Sequence, residues 1–312
     1  MTTSSTNPAT PGPKRRGRSR VMALAASAAL MAGALAPTAA HATLPGGNGR
    51  IYYFVQSAIP LSGNVFSVNP DGTGKVQLTT DGLAQSGGYP DPAGTRVAFL
   101  RSDFFTGSVQ VWTMNPDGSG PTRLTYAAGA TGGFLSWSPD GGKLVYAPGG
   151  TLTVINADGS HPVSLGVSYP VGEDWSPDGT RIAYADGNGL YTIRPDGTGR
   201  TLVDTVPAPL LIDGLSWSPD GGRLVFSAFA DNGDSFGNGQ IYTVHADGTA
   251  HTRILADATN NDAPVWSPDG TKIAIYVGGR VDTINPDGTG ERRVGTITGS
   301  PNAWARRTTT SP

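Results

Sequence analysis

The stretch Trp266-Ser-Pro-Asp-Gly-Thr-Lys-Ile-Ala-Ile-Tyr276 is followed by Val281-Asp-Thr-Ile284 and then by Asn285-Pro-Asp-Gly288. In the first segment, proline presets φ for a tight turn, and Asp-Gly supplies residues that tolerate positive φ. The runs around the turns are short and rich in β-branched and aromatic residues, as strands are. With a further strand that begins at Arg292, this region predicts four strands joined by tight hairpins.

Both turn motifs recur along the chain. The first, Trp-Ser-Pro-Asp-Gly, begins at Trp137, Trp175, Trp217 and Trp266, with a degenerate copy at Tyr89. The second, Asn-Pro-Asp-Gly or a close variant, ends at Gly72, Gly118, Gly159, Gly197, Gly248 and Gly288. Alternation with a period of about 40–45 residues is typical of a propeller with WD-like, four-stranded blades.

The number of turns predicts the number of blades. Six copies of the second turn and five of the first indicate six blades, with one first turn divided between the chain ends. Ser300-Pro-Asn-Ala-Trp304 resembles the entry to that turn, and Arg50-Ile-Tyr-Tyr-Phe54 resembles the strand after it. The predicted fold is therefore all-β: a six-bladed β-propeller of four-stranded antiparallel blades, whose first blade is closed by the N- and C-terminal strands. Such closure removes exposed sheet edges.

The first 42 residues differ in composition from the rest. Basic residues from Lys14 to Arg20, the apolar stretch Val21–Ala36 and the small residues of Ala40-His-Ala42 predict a secretory signal peptide. An uncleaved membrane anchor is the alternative, which the short, Ala-rich stretch disfavours. We expect a signal peptide at 1–42, a propeller at 43–304 and a polar tail at 305–312. The mature protein should be a monomer that is secreted or held in the cell envelope, without a stable membrane span.

Charge and composition exclude some functions. Removal of the leader takes five of the 22 basic residues and none of the 24 acidic ones, which leaves a net charge of −7. A basic surface for nucleic acid is therefore not expected. The chain has no cysteine, so disulfides and a lipid-modified cysteine anchor are excluded.

The repeat resembles a known family. Trp-Ser-Pro-Asp-Gly-x-Lys/Arg-Ile/Leu-Ala/Val, followed by a strand such as Val281-Asp-Thr-Ile284 and by Asn-Pro-Asp-Gly, is similar to the propeller repeat of TolB, the periplasmic translocation protein. Prolyl-oligopeptidase-type peptidases carry similar repeats. The resemblance covers about residues 50–304 and implies the propeller fold. It does not extend to the N-terminal α/β domain of TolB or to the α/β-hydrolase domain of the peptidases, and neither is expected here.

The repeated aspartates and the few histidines do not indicate a metal site. Eleven of the 24 acidic residues are aspartates of the two turn motifs. Tight turns favour Asp-Gly for steric reasons, so we interpret these residues as structural rather than as calcium ligands. His161, His245 and His251 lie in or beside second-type turns, and none has another histidine at metal-ligand spacing.

Strand polarity separates two rims of the disc. Both turn motifs lie on one rim, the turn rim, and the second-to-third and fourth-to-first connections lie on the opposite rim, the loop rim. The loop rim varies between blades, and binding residues collect in variable loops on rigid scaffolds. In the second-to-third connections the candidates are Asp103, Phe104, Phe105, Asp231, Asp234 and Phe236. In the fourth-to-first connections they are Tyr126, Glu173, Asp174, Asp213 and Asp262.

Two functions fit these residues. The favoured one is a secreted, non-catalytic scaffold without a cofactor, which binds a protein, a peptide or an envelope component through the loop rim. The alternative is a metal-dependent propeller enzyme of the lyase, lactonase or hydrolase type, with a divalent cation held by acids at the mouth of the channel. Three or more converging ligands would separate the two. The same acids are also compatible with solvation or with pairing to backbone amides.

Overall fold

The computed structural model describes residues 47–57, 63–103, 108–126, 134–147, 150–230, 239–255 and 261–307. These residues form six four-stranded antiparallel sheets arranged in a ring. The fold is all-β, a six-bladed β-propeller, as the turn motifs predict. The predicted signal peptide lies outside the described residues. In the described part of the chain, no helix has both the length and the apolar character needed to cross a membrane.

Each blade has an inner strand, two middle strands and an outer strand. Blade 1 contains β24 (Ser300–Arg306), β1 (Asn48–Gln56), β2 (Gly63–Val68) and β3 (Val76–Gln77); blade 2 contains β4 (Ala84–Pro90), β5 (Val97–Ser102), β6 (Val109–Met114) and β7 (Thr122–Arg123). Blade 3 contains β8 (Leu135–Trp137), β9 (Lys143–Tyr146), β10 (Thr151–Asn156) and β11 (Val163–Ser168); blade 4 contains β12 (Val171–Trp175), β13 (Ile182–Asp186), β14 (Gly189–Ile193) and β15 (Thr201–Thr205). Blade 5 contains β16 (Leu210–Trp217), β17 (Arg223–Ala230), β18 (Gln240–His245) and β19 (Thr252–Leu255); blade 6 contains β20 (Asn261–Trp266), β21 (Ile273–Val277), β22 (Arg280–Ile284) and β23 (Arg292–Thr298).

Blade 1 is closed by strands from the two ends of the sequence. β24 pairs antiparallel with β1, and Trp304 lies opposite Ile51. The Trp304 side chain is buried, and its Nε1 donates a hydrogen bond to the Gly49 carbonyl at 3.2 Å. Because β24 continues to Arg306, the blade extends two residues past the predicted end of the propeller.

The hydrophobic core is divided among the blade interfaces. Six clusters of buried side chains each join two neighbouring blades. Trp175 packs with Val145 of blade 3, and Trp217 packs with Leu190 of blade 4. The tryptophan of the first turn motif therefore buries its ring against the preceding blade, which couples the local turn to ring closure.

Both turn motifs also have local structural roles. In the first turn of blade 5, the Ser218 hydroxyl donates to Asp220 at 2.5 Å and accepts the Arg223 N–H at 2.9 Å. In the second turn, Gly248 has φ of +86°, and a Cβ there would lie 2.5 Å from the Val203 carbonyl of blade 4. Glycine is therefore required at Gly248 by the backbone conformation and by the close approach of the preceding blade.

Candidate functional site

An exposed tyrosine on the loop rim stacks against an arginine, which also pairs with an aspartate. Tyr126 follows β7 at the start of the connection from blade 2 to blade 3, and 74% of its surface is exposed. The Arg123 guanidinium lies 4.6 Å from the centre of its ring. Arg123 Nη1 also lies 3.6 Å from a carboxylate oxygen of Asp103, which follows β5. We call Asp103, Arg123 and Tyr126 the loop-rim cluster; the structure brings together two of the predicted residues through an arginine that the sequence did not single out.

Buried hydrogen bonds support the loop-rim cluster from below. The Thr125 hydroxyl donates to Gln110 Oε1 at 2.9 Å and accepts the Val111 N–H at 2.9 Å. Thr125 and Gln110 are both buried. Arg123 Nε donates to the Thr125 carbonyl at 2.6 Å. The backbone immediately before Tyr126 is therefore fixed by blade 2, so the ring projects from a rigid base.

A second exposed tyrosine lies in the next connection of the same rim. Tyr169 joins β11 to β12 and is 57% exposed. Its φ is +54°, a conformation that is uncommon outside glycine, and its N–H donates to the Gly150 carbonyl. A Cβ on Gly150 would lie 2.6 Å from the Tyr169 ring, so the ring packs closely on that glycine. Sequence reasoning missed Tyr169, although an aromatic residue before a proline in an inter-blade connection was a usable signal.

Four of the predicted acids do not lie in loops. Glu173 and Asp174 belong to β12, Asp213 to β16 and Asp262 to β20, and all four are buried. The prediction that they lie in the fourth-to-first connections is wrong. Each of these inner strands contains a register shift against its neighbour close to the acid, so side-chain direction does not follow the simple alternation expected from the sequence.

Asp174 links three blades. Its carboxylate accepts hydrogen bonds from the Ser136 hydroxyl of blade 3 at 3.1 Å and from the Trp217 N–H of blade 5 at 2.8 Å. The residue before the motif tryptophan has the same role elsewhere, since Ser136 accepts the Trp175 N–H at 3.4 Å and Ser216 accepts the Trp266 N–H at 3.5 Å. Pairing with backbone amides, one of the alternatives for these acids, is what Asp174 does.

Asp213 and Asp262 form a carboxyl pair between blades 5 and 6. Asp262 accepts hydrogen bonds from the Ser227 hydroxyl at 2.7 Å and from the Ala263 N–H at 2.6 Å. Burial raises the pKa of Asp262 to about 6, although both hydrogen bonds lower it. Burial and the charge of Asp262 raise the pKa of Asp213 well above its usual value. Both carboxyl groups of the pair are therefore harder to ionise than a solvated aspartate, and the charge of Asp262 further disfavours that of Asp213.

Glu173 lies among the inner strands without charge compensation. Within the described residues, neither of its carboxyl oxygens has a hydrogen-bond partner, and the side chain is fully buried. Burial raises its pKa well above the usual value and so favours the neutral form of the acid. Burial raises the pKa of Tyr89 as well, and the nearby Glu173 contributes to that shift. The first and largest effect on both groups is desolvation.

The remaining predicted residues are not brought into a site. Phe104, Phe105, Asp231, Asp234 and Phe236 lie outside the described residues. Over the described ranges, no three His, Cys, Asp or Glu side chains are arranged to hold a metal ion.

A Gly-x-Ser-x-Gly motif lies in the second-to-third connection of blade 5. Residues 233–237 read Gly-Asp-Ser-Phe-Gly, which has the spacing of a nucleophile elbow. The segment connects two strands of blade 5, whereas an elbow connects a strand to a helix, and it also lies outside the described residues.

Six blades around a ring of inner strands define the chain as a β-propeller, and similar solved structures refine that class. TolB from Acinetobacter baumannii matches with a TM-score of 0.68 and 15% identity, over 83% of this chain and 67% of that chain. A putative TolB from Agrobacterium tumefaciens matches with a TM-score of 0.62 and 19% identity, over 83% and 94%. A chain of a nidogen/laminin complex matches with a TM-score of 0.64 and 14% identity, over 81% and 94%.

The fold is therefore a TolB-like six-bladed β-propeller, as the repeat motifs indicate. No family model matches the sequence. No curated protein matches it either. At these identities, the structural similarity establishes the fold alone.

Proposed function

We propose that this protein is an exported, non-catalytic scaffold that binds a protein, peptide or envelope component through its loop rim. The observation that carries the proposal is the loop-rim cluster, in which a tyrosine with 74% of its surface exposed is held by Arg123. A ring that is already fixed loses little conformational entropy on binding. Tyrosine and arginine are also enriched among residues that dominate binding energy at protein interfaces.

Tyr169 extends the same surface. It lies in the connection from blade 3 to blade 4, and Tyr126 lies in the connection from blade 2 to blade 3. Strand polarity places both connections on the loop rim. A non-glycine residue with positive φ costs roughly 1–3 kcal/mol, and such strain is concentrated at functional positions. The two tyrosines are thus the proposed centre of the binding surface.

The structural relatives support a binding role. One is a chain of a nidogen/laminin complex, and two are TolB proteins. Propellers of this fold serve many functions, so the relatives support only a binding role in general. The loop-rim cluster supports the location of the binding surface.

The enzyme alternative depends on three or more converging ligands for a divalent cation. Asp213 and Asp262 interact electrostatically, but Asp174 accepts hydrogen bonds from Ser136 and Trp217, and burial favours the neutral form of Glu173. We therefore favour binding. Metal analysis of protein purified without chelator provides the test, because a stoichiometric cation lost on Asp262→Asn would favour the enzyme.

The binding surface is tested by capture from the organism's envelope fraction. The double variant Tyr126→Ser and Tyr169→Ser should lose the captured component with little change in Tm, since both side chains are exposed. Val76→Ser is the matched control, because Val76 is an exposed apolar residue, at 40%, on the outer strand of blade 1. Loss of the component with the control, and retention with the double variant, would place the binding surface elsewhere.

Export is tested separately. We propose cleavage after Ala42, so the mature protein should begin at Thr43. N-terminal sequencing of protein from the medium or the envelope gives the answer. An intact Met1 in the membrane fraction would contradict the proposal.

A further inference from the structure

The interface between blades 2 and 3 contains a complete binding site for a guanidinium group. The carbon at the centre of the Arg96 guanidinium lies 4.7 Å from the centre of the Trp137 ring. Its Nη2 donates to the Gly141 carbonyl at 3.3 Å, and its Nη1 donates to the Ala157 carbonyl at 3.4 Å. Its Nε lies 3.3 Å from a carboxylate oxygen of Asp91. An indole face, two carbonyls and a carboxylate therefore recognise this group.

The interface between blades 5 and 6 uses the same stacking. The Arg223 guanidinium lies 4.8 Å from the centre of the Trp266 ring. Arg96 and Arg223 occupy the same position of the repeat, two residues after the glycine of the first turn motif. Stacking of an arginine on the tryptophan of the following blade is thus a recurring feature of this propeller.

Three of the four recognition groups have counterparts between blades 4 and 5. By their positions in the turn motifs, these counterparts are Trp217, Gly221 and Ala246. Ser176 stands at the position of Asp91 and makes the same backbone hydrogen bonds within its turn, and the carboxylate of Asp178 lies two residues further on. The local backbones agree, since Ala157 N–H donates to Gly142 at 2.9 Å in blade 3 and Ala246 N–H donates to Gly222 at 3.0 Å in blade 5.

Arg181 is the arginine of the repeat at this interface, and it has a different contact. Its Nη1 donates to the Gly199 carbonyl of its own blade at 3.0 Å. A groove of about 640 Å³ lies between the two blades, and Trp217, Gly221, Ala246 and Asp178 all line it. Leu202 of the outer strand β15 also lines the groove and is 52% exposed.

The charge of the groove favours a cationic occupant. Asp178, Asp220 and Asp247 line it, whereas Arg181 is the single basic residue of the lining among the described residues. A hydrogen bond from Ser218 holds the pKa of Asp220 below its usual value, and one from Thr249 does the same for Asp247. These carboxylates therefore remain charged at neutral and mildly acidic pH.

We propose that this groove binds an arginine side chain presented by an extended segment of a partner protein. The guanidinium stacks on Trp217 and donates to the carbonyls of Gly221 and Ala246, as Arg96 does at the equivalent groups. It pairs with Asp178, the carboxylate that this groove offers near the position of Asp91. An apolar residue beside that arginine contacts Leu202. The groove is on the turn rim, so this surface is distinct from the loop-rim cluster and does not depend on it.

Arg181 should weaken the binding of a partner's arginine in this groove. It is the residue that the repeat provides for this position, and its charge repels a second guanidinium. Removing Arg181 should therefore tighten binding. A groove that binds peptides through shape alone would not respond in this way.

The probe for the test is acetyl-arginine amide, titrated into the full-length mature protein. The readout is the ¹H–¹⁵N resonance of the Trp217 indole, assigned by its loss in Trp217→Phe. We expect a saturable shift with the arginine probe and binding at least about 10-fold weaker with acetyl-citrulline amide, which has a similar shape and no charge, since a cation–π contact with a charge-assisted hydrogen bond contributes about this much. Equal binding of the two probes, or no shift, would overturn the proposal.

Three variants sharpen the test. Asp178→Asn should weaken binding about 3–10-fold, and Arg181→Ala should strengthen it about 2–5-fold. The matched control is Arg194→Ala, which removes the same charge from the same blade at a residue that does not line the groove. A Tm close to wild type verifies folding of each variant. If Arg181→Ala bound acetyl-arginine amide with the same affinity as wild type and Arg194→Ala, the assignment would also be refuted.

Discussion

The aspartates of the turn rim and Glu173 of the inner strands are acids whose pKa values are shifted in opposite directions. Asp71 and Asp117 are exposed, and hydrogen bonds from Thr73 and Ser119 lower their pKa values. Glu173 is buried in β12, and desolvation raises its pKa well above the usual value. The surroundings of each acid therefore decide the direction of its pKa shift. The turns supply hydrogen-bond donors to Asp71 and Asp117, whereas among the described residues no donor reaches the carboxyl oxygens of Glu173.

The two regions also differ in what their acids connect. A turn aspartate bonds to residues within its own motif, as Asp117 does with Ser119 two positions later. Asp174 instead accepts the N–H of Trp217, which is 43 residues away in the next blade. Changes at the inner strands should therefore affect closure of the ring, and changes at the turn rim should affect one hairpin.

The largest effect is expected from removing the closing inner strand. Deletion of residues 299–312 removes β24 and the buried Trp304, and loss of that aromatic alone costs about 3–5 kcal/mol. It also leaves β1 with an unpaired edge. Deletion of residues 308–312 leaves β24 intact and should not change Tm. Thermal unfolding of both truncations checks this, and equal Tm values would show that blade 1 closes without β24.

Asp174→Ala should have the next largest effect. It leaves the buried Trp217 N–H and the Ser136 hydroxyl without their acceptor, and each buried unpaired group costs about 1–3 kcal/mol. We expect a loss of about 2–5 kcal/mol in urea unfolding. Ser216→Ala removes longer hydrogen bonds at the equivalent position, from the Trp266 N–H and to the Trp217 carbonyl, and should cost about 1 kcal/mol. A near-neutral Asp174→Ala would contradict the role of this residue in joining the blades.

Glu173→Gln should change the pH dependence of stability. Because the pKa of Glu173 is raised in the folded state, its contribution to stability is fully present below its unfolded pKa of about 4.3. That contribution is lost as pH rises through the folded pKa. Asp262, with a pKa of about 6, adds a decline between about pH 4 and 6, worth up to about 3 kcal/mol. The Glu173→Gln protein should be as stable as wild type near pH 4 and more stable than wild type at pH 8. If urea unfolding gave the same difference in free energy between the variant and wild type at both pH values, the raised pKa of Glu173 would be contradicted.

The smallest effect is expected at the turn rim. Because the pKa of Asp117 is lowered in the folded state, its contribution to stability is present above the unfolded pKa of about 3.9. That contribution is lost as pH falls through the folded pKa. Asp117→Asn should lower Tm slightly at pH 7 and not at all at a pH where the wild-type acid is protonated. A drop in Tm as large as that of Asp174→Ala would mean that the turn also supports a neighbouring blade.

The turn motifs were sufficient to predict the blades. Proline, aspartate and glycine act on the backbone within four or five residues, so each turn is visible in the sequence, and the alternation of two turn types fixes the strand polarity. The burial of Glu173 and Asp213 was not visible. Their inner strands contain register shifts, and an acid followed by a turn motif is the usual pattern of an exposed connection. Tyr126 was predicted as a candidate, but Arg123, which stacks on it, was not, because that contact depends on the shape of the connection.

The sequence by itself determined the six blades, the two rims and the closure of blade 1, because short-range backbone preferences repeated at a regular period leave few other arrangements. The tertiary structure decided which acids are charged and which surfaces are available. Arg96 and Arg181 occupy the same position of the repeat, yet one stacks on Trp137 and the other bonds to Gly199 beside a groove. Such differences arise from the balance of contacts between neighbouring blades, and no pattern within one repeat specifies that balance.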